Sequence, residues 1–388
     1  MIQYKKTYSL GDLMLKKFSV SNYRQFKDIL EFDLSANNYS FNEDCISKNL
    51  VKMALIYGKN GTGKSTLGWA IFDLVSHLTD NQSHEMNNFY LNALSPEKSA
   101  FFKFEFTFFN KKKPVKVTYE YRKNEKKILL SEKLTIDCVV VLDYQLKKTL
   151  ITTLKGTEHL NKDINPTQNL SAVKYIYSNT SLDRRNLHNK IFVEFVEFVS
   201  HMLWFRSVFD DNSYIGYQAG SKKILENILE NDNLKDFEKF LKSMDLNFQL
   251  VPLKTVSGID IGVKLSESTK PIPFFEISST GTRSLTLLYY WWQLIKEDKI
   301  RLLFIDEFDC SYHFSLSQKM IELLKTLKNT QVILTSHNTD LLTNDLIRPD
   351  CGFIIDGKSI TSLNRLTEKE LREAHNLERL YQAGKFDV

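Results

Sequence analysis

A chain of 388 residues with 42% hydrophobic and 26% charged content is long enough for a large core and has the balance of an ordinary globular protein. Its formal net charge of +5 permits a nucleic-acid or acidic partner without requiring one, and its four scattered cysteines form no CxxC pair, which argues against a disulfide framework or zinc site. The N-terminus lacks a signal-like apolar run, and the longest apolar stretch, Leu285 to Ile295, is too short to cross a bilayer, so a cytoplasmic protein with no membrane partner is expected.

Three stretches follow one another. In the first, 1–150, Lys17 to Val20 and Ile29 to Leu34 alternate like paired strands. Ala54 to Tyr57 reads as a short buried strand. It is followed by a Gly-rich loop and by a helix over Thr66 to Leu78, with Leu67, Ala70, Ile71, Leu74, Val75 and Leu78 on one side. Phe102 to Phe106 and Val115 to Tyr121 alternate as a hairpin about a turn at Asn110 to Pro114. The second stretch, 151–265, reads as a helical insertion. Asn186 to Arg206 has Leu187, Ile191, Phe195, Phe198 and Met202 at helical spacing, and Lys222 to Met244 makes one or two more helices. The third, 266–388, returns to α/β: strands at Arg301 to Ile305 and Val332 to Leu334, a helix at Leu316 to Leu327, and a hairpin over Phe353 to Leu363. A capping box, Thr367 to Glu370, is expected to open a C-terminal helix.

The Gly-rich loop reads Gly58-Lys59-Asn60-Gly61-Thr62-Gly63-Lys64-Ser65, continued by Thr66, and satisfies G-x-x-x-x-G-K-[ST] between a strand and a helix. Glycines let the backbone turn its N–H groups inward onto phosphate oxygens, and the positive end of the following helix adds to that field. In this setting Lys64 reaches the β- and γ-phosphates of ATP and Ser65 ligates Mg²⁺. The apolar run Leu302 to Ile305 ends in Asp306-Glu307. A carboxylate at such a strand end, Asp306, can hold the Mg²⁺ shell, and the next, Glu307, can polarise an attacking water. The separation of 242 positions from Lys64 to Asp306 requires a large insertion between the two motifs. Just upstream of the acids lies Ser278-Ser279-Thr280-Gly281-Thr282 before an apolar helix, and downstream a strand ends at Thr335-Ser336-His337. Taken alone, a serine before a helix is an N-cap and a histidine after a strand is a loop residue.

In this four-part order the chain resembles the ABC-type ATPases, including the SMC, RecF and OLD relatives. The resemblance implies an α/β head with a mixed sheet core, an antiparallel β subdomain and an inserted helical subdomain. It also implies that Ser279 and Gly281 meet the γ-phosphate held by an opposite subunit, in a head-to-tail dimer or larger homo-oligomer, and that His337 is a switch histidine near the attacking water. Two departures stand out: Thr280 replaces the first glycine of the signature, and neither Gln82 nor Gln145 makes a convincing Q-loop glutamine. Asn22-Tyr23-Arg24-Gln25-Phe26 looks like the RecF/SMC opening. Asp306-Glu307-Phe308-Asp309 with Tyr312-His313-Phe314, and the ending Leu371 to Phe386, resemble bacterial ATPases of abortive-infection and phage-defence systems, the AbiL/RloA-like and PARIS-like proteins. That narrower resemblance implies a partnership with a separately encoded effector such as a nuclease. The alternative reading is a RecF/SMC-like repair ATPase that clamps DNA.

Only 51 residues follow His337, too few for the nuclease domain that OLD relatives append. The acids of the insertion, Glu226, Glu230, Asp232, Asp236 and Glu238, interleave with lysines as a solvated helical face does. Any cutting activity is therefore expected in another polypeptide.

Overall fold

A computed structural model of the chain describes residues 13–79, 89–109, 113–164, 170–206, 214–216, 224–255, 258–265 and 270–386. The fold is α/β and rests on two seven-stranded sheets. The first is mixed. Its spatial order is Tyr214–Gly216, Met202–Arg206, Leu302–Asp306, Gln331–Ser336, Met53–Tyr57, Gly352–Ile355 and Ile360–Ser362. The five inner strands run parallel, and the two outer ones pair antiparallel. Met53–Tyr57, Leu302–Asp306 and Gln331–Ser336 are buried at every position, as expected of parallel strands covered on both faces.

The second sheet is wholly antiparallel and includes Leu13–Ser21, Leu30–Asp33, Ser99–Phe109, Pro114–Asn124, Leu129–Ile136 and Val139–Gln145. Ser99–Phe109 alternates strictly between buried and half-buried positions, the signature of a sheet with one face in the core. That face is aromatic: Phe18 packs on Phe104 with centroids 4.8 Å apart, and Phe102 on Tyr121 at 4.9 Å.

Helix Lys64–Leu78 lies between the sheets. Against the mixed sheet, Gly68 permits close approach, since a Cβ there would stand 3.0 Å from the Phe304 ring and 3.2 Å from Trp204. Toward the antiparallel sheet, Asp73 accepts hydrogen bonds from Tyr121 Oη (2.8 Å), Lys123 Nζ (2.7 Å) and Tyr90 Oη (3.0 Å). Nearby, the buried Glu132 carboxylate accepts from Tyr119, Ser171 and the main-chain N–H groups of Ala172 and Val173 at the start of helix Ala172–Asn179. Burial raises the Glu132 pKa and those bonds oppose the rise.

Most of the expected elements are present, with bounds shifted by up to four residues. The hairpin turn at Asn110 to Pro114 falls largely outside the described residues, as does Gln82. Two expectations need correction. The helix expected over Asn186 to Arg206 is Leu187–Ser200, and the chain then turns at His201 into strand Met202–Arg206. Met202 continues the helical spacing, but Met-Leu-Trp-Phe-Arg is also a strong strand former. Parallel pairing with Leu302–Asp306 places Met202, Leu203, Trp204 and Phe205 in the core. The stretch 151–265 therefore supplies two strands of the mixed sheet, Met202–Arg206 and Tyr214–Gly216, and the antiparallel pair Leu250–Thr255 and Gly258–Val263, as well as helices. The second correction is the C-terminal helix, which is Leu377–Gln382, capped by Asn376 rather than opened at Thr367. Thr367 Oγ1 accepts the Lys369 N–H rather than capping a helix. The chain that follows is held irregular by Asn344, whose Nδ2 donates to the carbonyls of Arg372, Glu373 and His375.

Gln331 clasps the two sheets. Its Oε1 accepts the Leu15 N–H at 3.0 Å, and its Nε2 donates to the carbonyls of Leu15 (2.9 Å) and Val51 (2.8 Å), all buried. Gln331→Met keeps the length of the side chain but leaves three main-chain groups unpaired. It is expected to cost about 2–5 kcal/mol, read as a lowered urea midpoint.

Candidate functional site

In a parallel sheet, loops leaving the carboxyl ends of neighbouring strands share one edge, and ligands bind there. Here strand Gln331–Ser336 lies between Met53–Tyr57 and Leu302–Asp306. The Gly-rich loop, His337 and the Asp306-Glu307 pair therefore converge, although they are far apart in sequence.

The loop leaves Tyr57 and turns at Gly61 (φ 79°) and Gly63 (φ 101°), left-handed conformations that favour glycine. Gly63 is the N-cap of helix Lys64–Leu78, and no side chain among the described residues caps it. Gly58 and Gly63 are also small for steric reasons. A Cβ at Gly58 would meet the Ile355 carbonyl at 2.6 Å, and one at Gly63 would meet Gln25 Nε2 at 2.5 Å and the Phe26 ring at 2.8 Å. Gln25 braces the loop from outside: its Nε2 donates to the Gly61 carbonyl at 3.2 Å and its Oε1 accepts the Thr66 hydroxyl at 2.9 Å.

Lys64 reaches the centre of the site. Its Nζ donates to the carbonyls of Gly58 (2.6 Å) and Lys59 (3.1 Å) and lies 3.1 Å from His337 Nδ1. On the other side of the imidazole ring, His337 Nε2 stands 3.8 Å from Glu307 Oε1. Burial holds the Lys64 ammonium below its usual range, and the charges of Asp306, Glu307 and Asp309 work against that shift. Asp306 is fully buried. Asp309 is buried too, and its carboxylate accepts the Ser336 hydroxyl at 2.7 Å; burial raises its pKa, opposed by that bond.

Ser279 and Gly281 sit at the start of helix Thr280–Ile295. Ser279 is the N-cap: its Oγ accepts the Thr282 N–H at 3.1 Å and lies 3.0 Å from the Thr282 hydroxyl. A Cβ on Gly281 would stand 2.6 Å from the Ser311 carbonyl, and Tyr312 Oη donates to Ser284 Oγ at 2.6 Å. The helix start is thus docked on the segment that follows Asp306-Glu307. Gln145 closes strand Val139–Gln145, where Lys148 Nζ donates to its side chain. Sequence reasoning assigned no role to Gln25, Thr335, Ser336 or Asp309. Two hydroxyls following the apolar run Val332 to Leu334 were a usable signal for Thr335 and Ser336, whereas nothing in the sequence ties Gln25 to Gly61.

The residues suit a nucleotide and its Mg²⁺. The glycines open a cradle at a helix N-terminus bearing a lysine, which favours phosphate. Among the described residues no group of three or more His, Cys, Asp or Glu side chains could hold a metal by itself. No helix in the described residues is long and apolar enough to cross a membrane.

The fold is α/β, and its Gly-rich loop between a parallel strand and a helix suits the phosphates of a nucleotide. The family described as "AAA domain, putative AbiEii toxin, Type IV TA system" matches residues 53–343, and the chain belongs to that family, whose members bind nucleotide. No curated protein matches the chain. Solved structures similar to it include an SMC head bound to the C-terminal winged-helix domain of ScpA, with 16% identity, TM-score 0.45, and 90% of this chain and 97% of that chain covered. The SMC head domain from Thermotoga maritima is similar at 13% identity and TM-score 0.42, over 90% of this chain and 98% of that one. A third is an SMC head with an extended coiled coil bound to the C-terminal domain of ScpA, derived from Pyrococcus furiosus, at 12% identity and TM-score 0.43, covering 90% of this chain and 96% of that chain.

The loop geometry separates two glycines. A Cβ at Gly61 would find no atom within 4 Å, so Gly61→Ala pays only for its positive φ, about 1–2 kcal/mol. Gly63→Ala adds a collision with Gln25 and Phe26 and is expected to lower the thermal midpoint further than Gly61→Ala does.

Proposed function

We propose that this chain is an ATP-hydrolysing subunit of an anti-phage, abortive-infection system, in which two copies sandwich ATP and the nucleotide state controls a separately encoded effector such as a nuclease. The observation that carries this reading is the line Lys64–His337–Glu307, with contacts of 3.1 Å and 3.8 Å, at the carboxyl edge of the parallel strands. A lysine, an imidazole and a carboxylate in that order supply a γ-phosphate anchor, a relay and a base.

In this reading the main-chain amides of Gly58 to Ser65, with Thr66, cradle the phosphates and Lys64 neutralises their charge. Ser65 and Asp306 hold Mg²⁺, which when bound polarises the terminal phosphate. Glu307 accepts a proton from the attacking water. His337, between Lys64 and Glu307, orients that water and senses the γ-phosphate. Ser279 and Gly281 complete the pocket of a second copy, so binding energy for ATP becomes association energy for the dimer. The effector's response then follows the population of closed dimers. The family's description as a putative toxin of a toxin–antitoxin system supports the defence setting.

Lys64→Ala is expected to abolish ATP binding. Glu307→Gln should bind ATP, lose hydrolysis by about 100-fold or more, and accumulate as a dimer in size-exclusion chromatography. Wild-type turnover in Glu307→Gln would remove the base assignment. Ser279→Arg should leave ATP binding to the monomer intact and block dimer formation. Mixed with Lys64→Ala, it should recover about one working site per heterodimer.

A further inference from the structure

After Gln331, strand Gln331–Ser336 is apolar until its last two residues, and the side chains of both Thr335 and Ser336 are fully buried. A hydroxyl without access to water is retained where it has partners. Thr335 Oγ1 donates to Asp306 Oδ1 at 2.7 Å and accepts the main-chain N–H of Glu307 at 2.8 Å. The Thr335 carbonyl accepts the Phe308 N–H at 3.1 Å. Because the Glu307 amide can only donate, the single hydroxyl proton of Thr335 is committed to the carboxylate of Asp306.

The second partner matters as much as the first. Consecutive side chains on an extended strand point to opposite faces, so Asp306 and Glu307 would diverge if the strand simply continued. The chain instead enters the left-handed region at Glu307, with φ 50°, a conformation uncommon for a residue with a side chain. That turn brings the Glu307 carboxylate within 3.8 Å of His337 Nε2. The amide that Thr335 holds is the one at this turn. One hydroxyl thus fixes the rotamer of the first acid and the backbone direction of the second. It belongs to the strand that carries His337 two residues later.

We propose that Thr335 is a positioning residue, which aims Asp306 at Mg²⁺ and Glu307 at the attacking water and ties both to the strand bearing His337. This inference rests on the roles given above to Asp306 and Glu307. Serine at 335 would preserve both hydrogen bonds. Valine would match the shape of threonine and make neither.

The test compares wild type, Thr335→Val and Thr335→Ser in the full chain, with Glu307→Gln as reference. Three quantities are read: kcat and KM for ATP, and the Mg²⁺ concentration giving half-maximal binding of a fluorescent, non-hydrolysable ATP analogue. Thr335→Val is expected to lower kcat by about 10- to 100-fold with KM changed by no more than about threefold, and to raise the Mg²⁺ midpoint about tenfold. Thr335→Ser should stay within about threefold of wild type on every measure. A wild-type Mg²⁺ midpoint and kcat in Thr335→Val would overturn the proposal, as would Thr335→Ser being as impaired as Thr335→Val. If Thr335→Val does not fold, Thr335→Cys, a weaker donor of similar size to serine, takes its place with the same expected direction. Wild-type hydrolysis by Glu307→Gln would remove the base assignment alone, because the Mg²⁺ titration reads the Thr335–Asp306 bond separately.

Discussion

Everything at this site depends on the position of one strand. Gln331–Ser336 pairs in parallel with Met53–Tyr57 on one side and with Leu302–Asp306 on the other. Parallel strands deliver their carboxyl ends to a common edge, so the loop after Tyr57, the acids after Ile305 and the histidine after Ser336 arrive side by side. An antiparallel neighbour in that position would have sent His337 to the opposite edge of the sheet. The strand is also anchored at its start. Gln331 bonds the main chain of Leu15 and Val51 there, so both ends of the strand are engaged, the first by an amide and the second by two hydroxyls.

The helix that follows the Gly-rich loop is gripped in a comparable way. Its first turn and the loop before it are braced by Gln25, in the turn that leaves strand Leu13–Ser21 of the antiparallel sheet. Further along, Asp73 takes hydrogen bonds from Tyr121 and Lys123 of the same sheet and from Tyr90. A buried ion pair is weak evidence for stability, since desolvation consumes much of the attraction. Its contribution here is direction: Asp73 with its donors, and Gln25 with its two bonds, fix where the helix axis points. The same axis aims the helix N-terminus at the cradle. A displacement of the antiparallel sheet would therefore be felt at both ends of the helix.

Legibility in the sequence followed the range of the interactions. Gly58 to Ser65 and the Leu302 to Glu307 run were readable because their chemistry is local: a turn needing positive φ, a helix start, an apolar strand ending in acids. The parallel strands Met53–Tyr57, Leu302–Asp306 and Gln331–Ser336 were readable from their apolar runs, and Ser99–Phe109 from its alternation. Met202–Arg206 was misread because helical spacing continues across His201, and only pairing with a strand a hundred residues downstream breaks the tie. The helix expected at Thr367 failed for a similar reason, since Asn344 gathers three carbonyls that a helix would have used internally. Gln25 was invisible because its contacts depend on how two loops pack. Thr335 lay between: its position at the end of an apolar strand was visible, but its partners became apparent only with the strand order.

The start of helix Thr280–Ile295 shows how one arrangement serves two purposes. Ser279 caps the helix through the Thr282 N–H, and Gly281 is small because the Ser311 carbonyl lies where a Cβ would be. Each residue thus has a reason within its own chain. Capping consumes one first-turn amide, while the helix dipole and the remaining first-turn donors still favour an anion at this end. Docking on Ser311 and Tyr312 joins this end mechanically to the segment leaving Glu307. An anion drawn to the helix start would press on the loop that leaves the Asp306-Glu307 pair. The intrachain packing of Gly281 thereby ties this helix start to the segment that carries the carboxylates.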